Sequence, residues 1–177
     1  MRMKRLAAIA SLVFLPFSAS AECIFSEFPQ EERPYKLNLS DSECKLVRYT
    51  GGNVVTIFVG YPSMEVVRER AFDDSLVTFR LIYISKATFN QNATIEGRQP
   101  ASIQNGYETY GGGDSSFIRF IGSDGNPTFV SEWPNTHDAR HLFNGEIQIR
   151  YQYALKHKDL RLMDDFAITF LKKITSK

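Results

Sequence analysis

Glu146–Leu155, EIQIRYQYAL, and Asp159–Ile174, DLRLMDDFAITFLKKI, lie close together near the end of the chain and decide how the rest is read. In the first stretch Ile147, Ile149, Tyr151 and Tyr153 alternate with Gln148, Arg150 and Gln152. That period of two predicts a strand with one dry face and one wet face, as in an antiparallel sheet. In the second, Met163, Phe166, Ala167, Phe170, Leu171 and Ile174 recur at the spacing of a helix with one apolar stripe. Asp159 is placed to cap its first turn, and Lys172, Lys173 and Lys177 suit the negative end of its dipole. Asp164-Asp165 reads as a carboxylate pair on the outer, solvent-facing side. The stripe needs a broad apolar surface, and a sheet supplies one. The expected fold class is α+β: a twisted antiparallel β-sheet covered by a C-terminal amphipathic helix.

Working outward, Ser75–Ser85, SLVTFRLIYIS, is the strongest strand, rich in β-branched and aromatic residues. Ser116–Ile121 and Thr128–Trp133 flank the turn Ser123-Asp124-Gly125-Asn126 and predict a hairpin. Leu46–Tyr49, Gly51-Gly52 and Val54–Val59 read as strand, tight turn, strand. Residues 64–72 fit two patterns. Ser63 can cap a helix, while Val66, Arg68, Arg70 and Phe72 alternate as in an edge strand. The strand version, paired across a turn at Asp73-Asp74, is the favoured one. Residues 86–115, ending in Gly111-Gly112-Gly113, are expected as a long connector, and Pro134 to Gly145 as another loop.

The chain begins with a basic stretch, Met1 to Arg5, an apolar run from Leu6 to Phe17, and small residues at Ser18-Ala19-Ser20-Ala21. This is the pattern of a secretory signal peptide over residues 1–21, leaving residues 22–177 as one α+β domain. The apolar run is too short to span a bilayer as a helix. Cys23 and Cys44 are the two cysteines. In an oxidising compartment an even pair predicts a disulfide, which ties down an N-terminal arm read as irregular or as one short strand. Lipidation of Cys23 is disfavoured, because Glu22 precedes it where a small residue is required.

The whole chain carries 21 Lys and Arg against 20 Asp and Glu. Removing the leader, with Arg2, Lys4 and Arg5, leaves a slightly acidic domain. That balance argues against nucleic-acid binding and against an electrostatic membrane anchor. The expected product is a periplasmic or secreted protein with no membrane anchor after cleavage.

Chemistry-bearing patterns are sparse. His137 and His141 stand four apart and could share a metal if their segment were helical. The segment lies between Pro134 and Gly145 and lacks a third ligand, so a polar loop is the plainer reading. Neither a nucleophile elbow nor a CxxC redox pair is present. No cofactor, metal or catalytic residue is assigned. Tyr107, Tyr110 and Trp133 are candidate contacts for a partner, with His137, Arg140 and His141 beside the tryptophan. A lone tryptophan is otherwise a core residue, so its exposure decides between the two readings.

The segments NGEIQIRYQYAL (144–155), LMDDFAITFLKKI (162–174) and FDDSLVTFRLIYIS (72–85) together resemble PsbP-like α+β domains. They are also similar to small exported immunity proteins that guard bacteria against type VI secretion effectors. The resemblance covers about half of residues 22–177, leaves out the N-terminal arm, and transfers no site residues. It implies a non-enzymatic periplasmic protein that binds and blocks another protein. The competing expectations are an accessory subunit of an envelope complex and a metal-dependent hydrolase built on His137 and His141.

Overall fold

The computed structural model describes residues 21–26, 33–51, 53–85, 89–112 and 116–176. The expected leader, apart from Ala21, lies outside the described residues, as do Pro29, Gly52 and Gly113. The described elements are β1 (Ala21–Phe25), β2 (Tyr35–Leu39), α1 (Asp41–Cys44), β3 (Arg48–Tyr49), β4 (Val54–Gly60), β5 (Leu76–Tyr83), β6 (Ser102–Gln104), β7 (Tyr107–Tyr110), β8 (Phe117–Ile121), β9 (Pro127–Glu132), β10 (Thr136–Phe143), β11 (Ile147–Ala154) and α2 (Leu160–Thr175). The fold is α+β. Strands β3 to β11 form one nine-stranded antiparallel sheet in the order β3-β4-β5-β11-β10-β9-β8-β7-β6.

Helix α2 lies on one face of this sheet. Asp159 caps it, accepting from the Leu162 amide at 3.0 Å. Its inward stripe meets β4, β5 and β11, with Phe170 5.0 Å from the Phe79 ring and Phe166 6.4 Å from it. Met163, Phe170, Leu171 and Ile174 are fully buried. Each such side chain contributes about 1.5–3 kcal/mol, against about 1 kcal/mol for the cap. Packing on the sheet, rather than capping, therefore holds the helix.

The N-terminal arm is a two-stranded β1–β2 ribbon, where the sequence reads as an irregular arm or one short strand. Leu37 and Leu39 are buried, and β2 packs beside α2. Tyr35 stacks on Tyr83 at 4.3 Å, and its hydroxyl accepts from the Tyr83 amide at 2.8 Å. The Cys23–Cys44 disulfide joins β1 to the end of α1. Helix α1 starts with a capping box: Ser40 Oγ accepts from the Glu43 amide, and the Glu43 carboxylate accepts from the Ser40 amide.

Four expectations are corrected. Pro134–Gly145 is not a loop: Thr136–Phe143 is β10, a central strand of the sheet. Its polar residues His137, Asp138 and His141 hid the strand pattern, although all three are buried. Residues 86–115 contain the β6–β7 hairpin. Both surprises close on Asn-Gly turns with positive φ, Asn105-Gly106 and Asn144-Gly145, the combination that two-residue hairpins favour. No hairpin forms across Asp73-Asp74. Val66 makes a single bridge to Val59, and β5 pairs instead with β4 from Leu76 onward. Asp73 closes its own turn by accepting from the Ser75 amide at 2.8 Å. Finally, Asp164 faces the core, with 0% of its surface exposed.

Candidate functional site

The two faces of the sheet carry different chemistry. On the face under α2, a cluster of mostly buried polar side chains reaches the surface only at Asp124. His141 Nε2 lies 2.8 Å from Asp124 Oδ2 in the β8–β9 turn. Its Nδ1 lies 2.7 Å from Thr128 Oγ1 and 3.2 Å from Asp164 Oδ1 on the helix. Tyr151 donates its hydroxyl to the same Asp164 oxygen at 2.7 Å. Burial alone pushes His141 down, but hydrogen bonds and charge from Asp164 and Asp124 outweigh it and hold the imidazole above its ordinary 6.5. Asp124 is raised by burial but ends below its ordinary range, because Asn126 and His141 bond its carboxylate. Burial first, then Asp164, drives the Tyr151 phenol well up. A protonated imidazole can donate on both sides here, so the cluster bolts helix, turn and sheet together. Thr128, His141 and Asp164 are all buried, while Asp124 carries the cluster to the surface, with 16% of its side chain exposed.

Among the described residues, the opposite face carries no helix. Cross-strand register places Arg48, Thr56, Arg80, Arg150, Arg140, Phe129 and Arg119 in one row over β3-β4-β5-β11-β10-β9-β8. Directly opposed residues in antiparallel strands share a face, so Arg80, Arg150 and Arg140 stand side by side, with Arg48 beyond Thr56 and Arg119 beyond the buried Phe129. Like charges in register are unfavourable, and carboxylates relieve three of them. Arg48 donates to both Glu69 oxygens at 3.0 and 2.9 Å. Arg150 donates to Asp138 Oδ2 at 2.8 Å. Arg119 donates to both Glu108 oxygens at 2.9 Å. The Tyr110 hydroxyl first, and Arg119 with it, hold Glu108 below the usual carboxylate range. Arg80 and Arg140 have no carboxylate partner among the described residues. A groove of about 660 Å³ opens over β4, β5 and β11, walled by Glu69, Arg70 and Phe72 from the segment between β4 and β5.

The residues singled out from sequence divide between these faces. Arg140 projects onto the open face. Trp133 stands at the β9–β10 turn, at a register position on the same side, and is 57% exposed. Tyr110 is on that face too, but buried in a small cluster, stacked 5.3 Å from Phe117. Tyr107 lies on the helix side, half-buried, with the Arg161 guanidinium 4.6 Å above its ring. His137 and His141 are also on the helix side and buried, which corrects their assignment to a partner-binding loop. His137 packs 5.0 Å from Tyr153, and burial pushes its imidazole below 6.5, with Glu132 opposing. The disulfide pair Cys23 and Cys44 is bonded as expected.

The row's other members, Arg48, Arg80, Arg150 and Arg119, were missed as site residues. Their signal was alternation: each sits at the polar position of a strand. Only the strand order shows that those positions meet. Among the described residues, no group of three or more His, Cys, Asp or Glu is arranged to hold a metal ion. No helix among them is long and apolar enough to cross a membrane. No protein-family model matches the chain, and no curated protein or solved structure matches it significantly.

Proposed function

We propose that this is an exported protein that acts by binding, and thereby blocking, another protein, with the open face of its sheet as the docking surface. An immunity protein that neutralises a secreted effector is the sharpest form of this reading. The observation that carries it is the open face itself: a broad sheet with one side packed and the other presenting a row of arginines and an exposed tryptophan. Arg and Trp are the residue types that supply most binding energy at protein interfaces. The disulfide suggests a compartment outside the cytoplasm, and with the leader pattern it supports a periplasmic or secreted protein. The buried His141 cluster supports binding rather than catalysis, because the most reactive-looking side chains serve packing.

The test is capture of partners from envelope and secreted fractions by the oxidised protein, run beside a Trp133→Ala/Arg140→Glu variant. The expected result is one stoichiometric protein held by the wild type and released by the variant. A secreted enzyme inhibited on binding fits the immunity form, and a resident envelope assembly fits an accessory subunit. Absence of any stoichiometric partner, or equal retention by the variant, overturns the proposal.

A further inference from the structure

The charge pattern of the groove goes beyond the choice of face and names the chemistry of what enters it. Of the five arginines in the row, three are already neutralised by Glu69, Asp138 and Glu108. Arg80 and Arg140 flank the paired Arg150 on adjacent strands, about 10 Å apart at two strand spacings. Two guanidinium groups without a carboxylate partner among the described residues, with a third between them, form a positive centre in a protein whose charges nearly balance, at 21 Lys and Arg against 20 Asp and Glu. The floor beside them sets half-buried Val54 and Ile82 among Thr56, Thr78 and Gln152, and Phe72 forms part of the wall.

Resting on the reading of this face as a protein-docking surface, we infer that an extended acidic segment of the partner lies in the groove and runs past it onto β10, its carboxylates pairing with Arg80 in the groove and with Arg140, one strand beyond the lining residue Arg150. Guanidinium groups accept carboxylates in a two-pronged geometry that fixes orientation as well as charge. A second copy of this chain is a poor occupant, because a two-fold contact would set the arginine rows against each other. A uniformly charged polyanion would leave Val54, Ile82 and Phe72 unused. An extended peptide turns alternate side chains to opposite sides, so acidic residues meet the row while apolar neighbours settle on the floor. The open part of the row, from Arg48 to Arg140, spans about 19 Å over four strand spacings, the reach of about six extended residues; beyond it Phe129 is buried in the cluster that Ile95 packs against.

The experiment is fluorescence anisotropy with labelled synthetic peptides of about twelve residues, enough to cover the row. In one peptide Glu alternates with Thr and Leu; in the others Gln or Lys replaces Glu. Vesicles of phosphatidylglycerol serve as a second anionic probe. The Glu peptide is expected to bind, to weaken as salt is raised, and to lose about tenfold or more in affinity to Arg80→Glu/Arg140→Glu. The Arg80→Gln/Arg140→Gln variant, with unchanged thermal unfolding, separates lost charge from lost folding. Equal binding of Glu and Gln peptides, or equal binding by the double variants, overturns the inference. Vesicle binding that needs both arginines while no peptide binds also overturns it, in favour of a lipid headgroup. If a captured partner stays bound to the double variants, the groove falls while the protein-binding reading stands. If no partner is captured but the Glu peptide binds through both arginines, the partner reading falls and the groove's chemistry stands.

Discussion

Asp164 Oδ1 lies 3.2 Å from His141 Nδ1, so one ionisable pair joins the terminal helix to the centre of the sheet inside the protein. The pair sits within a ring of hydrogen bonds that includes Tyr151, Thr128 and Asp124. Its Asp164 Oδ2 has no partner, so the site is poised rather than saturated. Losing either charge leaves the other buried and unbalanced.

Stability should peak close to pH 6.5. His141 has a raised folded value, so its contribution is fully present below the unfolded value of 6.5 and is lost as pH rises through the folded one. His137 has a lowered folded value, so stability falls as pH drops below 6.5 through that value. Denaturant midpoints taken from about pH 5 to about pH 9 should show both limbs. His141→Gln should flatten the alkaline limb and His137→Gln the acid one. A wild-type curve that stays level above pH 6.5 would remove the His141 network from the account.

Adjacent aspartates on α2 should behave differently. Asp164→Ala strands His141 and the Tyr151 hydroxyl in the core and should cost about 3 kcal/mol or more. Asp165 is exposed, and Asp165→Ala should stay within about 0.5 kcal/mol of wild type. Urea unfolding of both variants checks this; equal effects would mean the helix is rotated from the position described.

Gly122 should not tolerate alanine. A Cβ there would come 2.5 Å from Asp164 Oδ2 and 3.2 Å from His141 Cε1, inside the buried cluster. The carboxylate cannot swing away without giving up its bonds, so Gly122→Ala should destabilise by about 1–3 kcal/mol. Gly125→Ala, in the same turn, meets no atom within 4 Å, and its cost comes from its φ of +84° instead. A shift in the alkaline limb of the pH profile should accompany the first substitution and not the second.

Breaking the disulfide should loosen the N-terminal ribbon. The bridge spans 21 positions, for which chain entropy assigns about 3 kcal/mol. Cys23→Ser/Cys44→Ser should lower stability by about that amount, and hydrogen exchange should quicken first in β1 and β2. Unchanged protection there would show that Leu37, Leu39 and Tyr35 hold the ribbon unaided.

Trp133 and Tyr110 should separate binding from folding. Trp133→Ala removes an exposed ring and should leave stability within about 0.5 kcal/mol. On the proposed docking face it should weaken a captured partner at least about tenfold. Tyr110→Ala empties a packed position beside Phe117 and Phe129 and should cost about 3 kcal/mol in stability. Calorimetric titration alongside thermal unfolding distinguishes the two; a Trp133→Ala protein that binds as wild type takes the tryptophan out of the interface.

The sheet was only partly legible in the sequence. Ile147–Ala154 and Leu160–Thr175 stand where their periods put them, because each buries one regular face. The hairpin at Asp124-Gly125 also stands as read. β10 was obscured because THDARHLF carries charge at positions that the folded protein satisfies from elsewhere: Asp138 by Arg150, His141 by Asp124 and Asp164. A local pattern cannot show a partner supplied by another strand. Asn105-Gly106 and Asn144-Gly145 did carry a local signal, and their turn chemistry marks the ends of β6, β7, β10 and β11.

The sequence by itself determined the periods of β11 and α2, the Asp159 cap, the hairpin at Asp124-Gly125 and the pairing of its two cysteines, since each depends on near neighbours or on a count of two. Tertiary structure alone decided that Asp164 faces inward while Asp165 faces out, that His137 and His141 are buried, and that five arginines form one row. Those facts depend on the order β3-β4-β5-β11-β10-β9-β8, which brings strands from distant parts of the chain into register. Side-chain alternation is set by local backbone geometry, but the neighbour across a strand is set by non-local pairing.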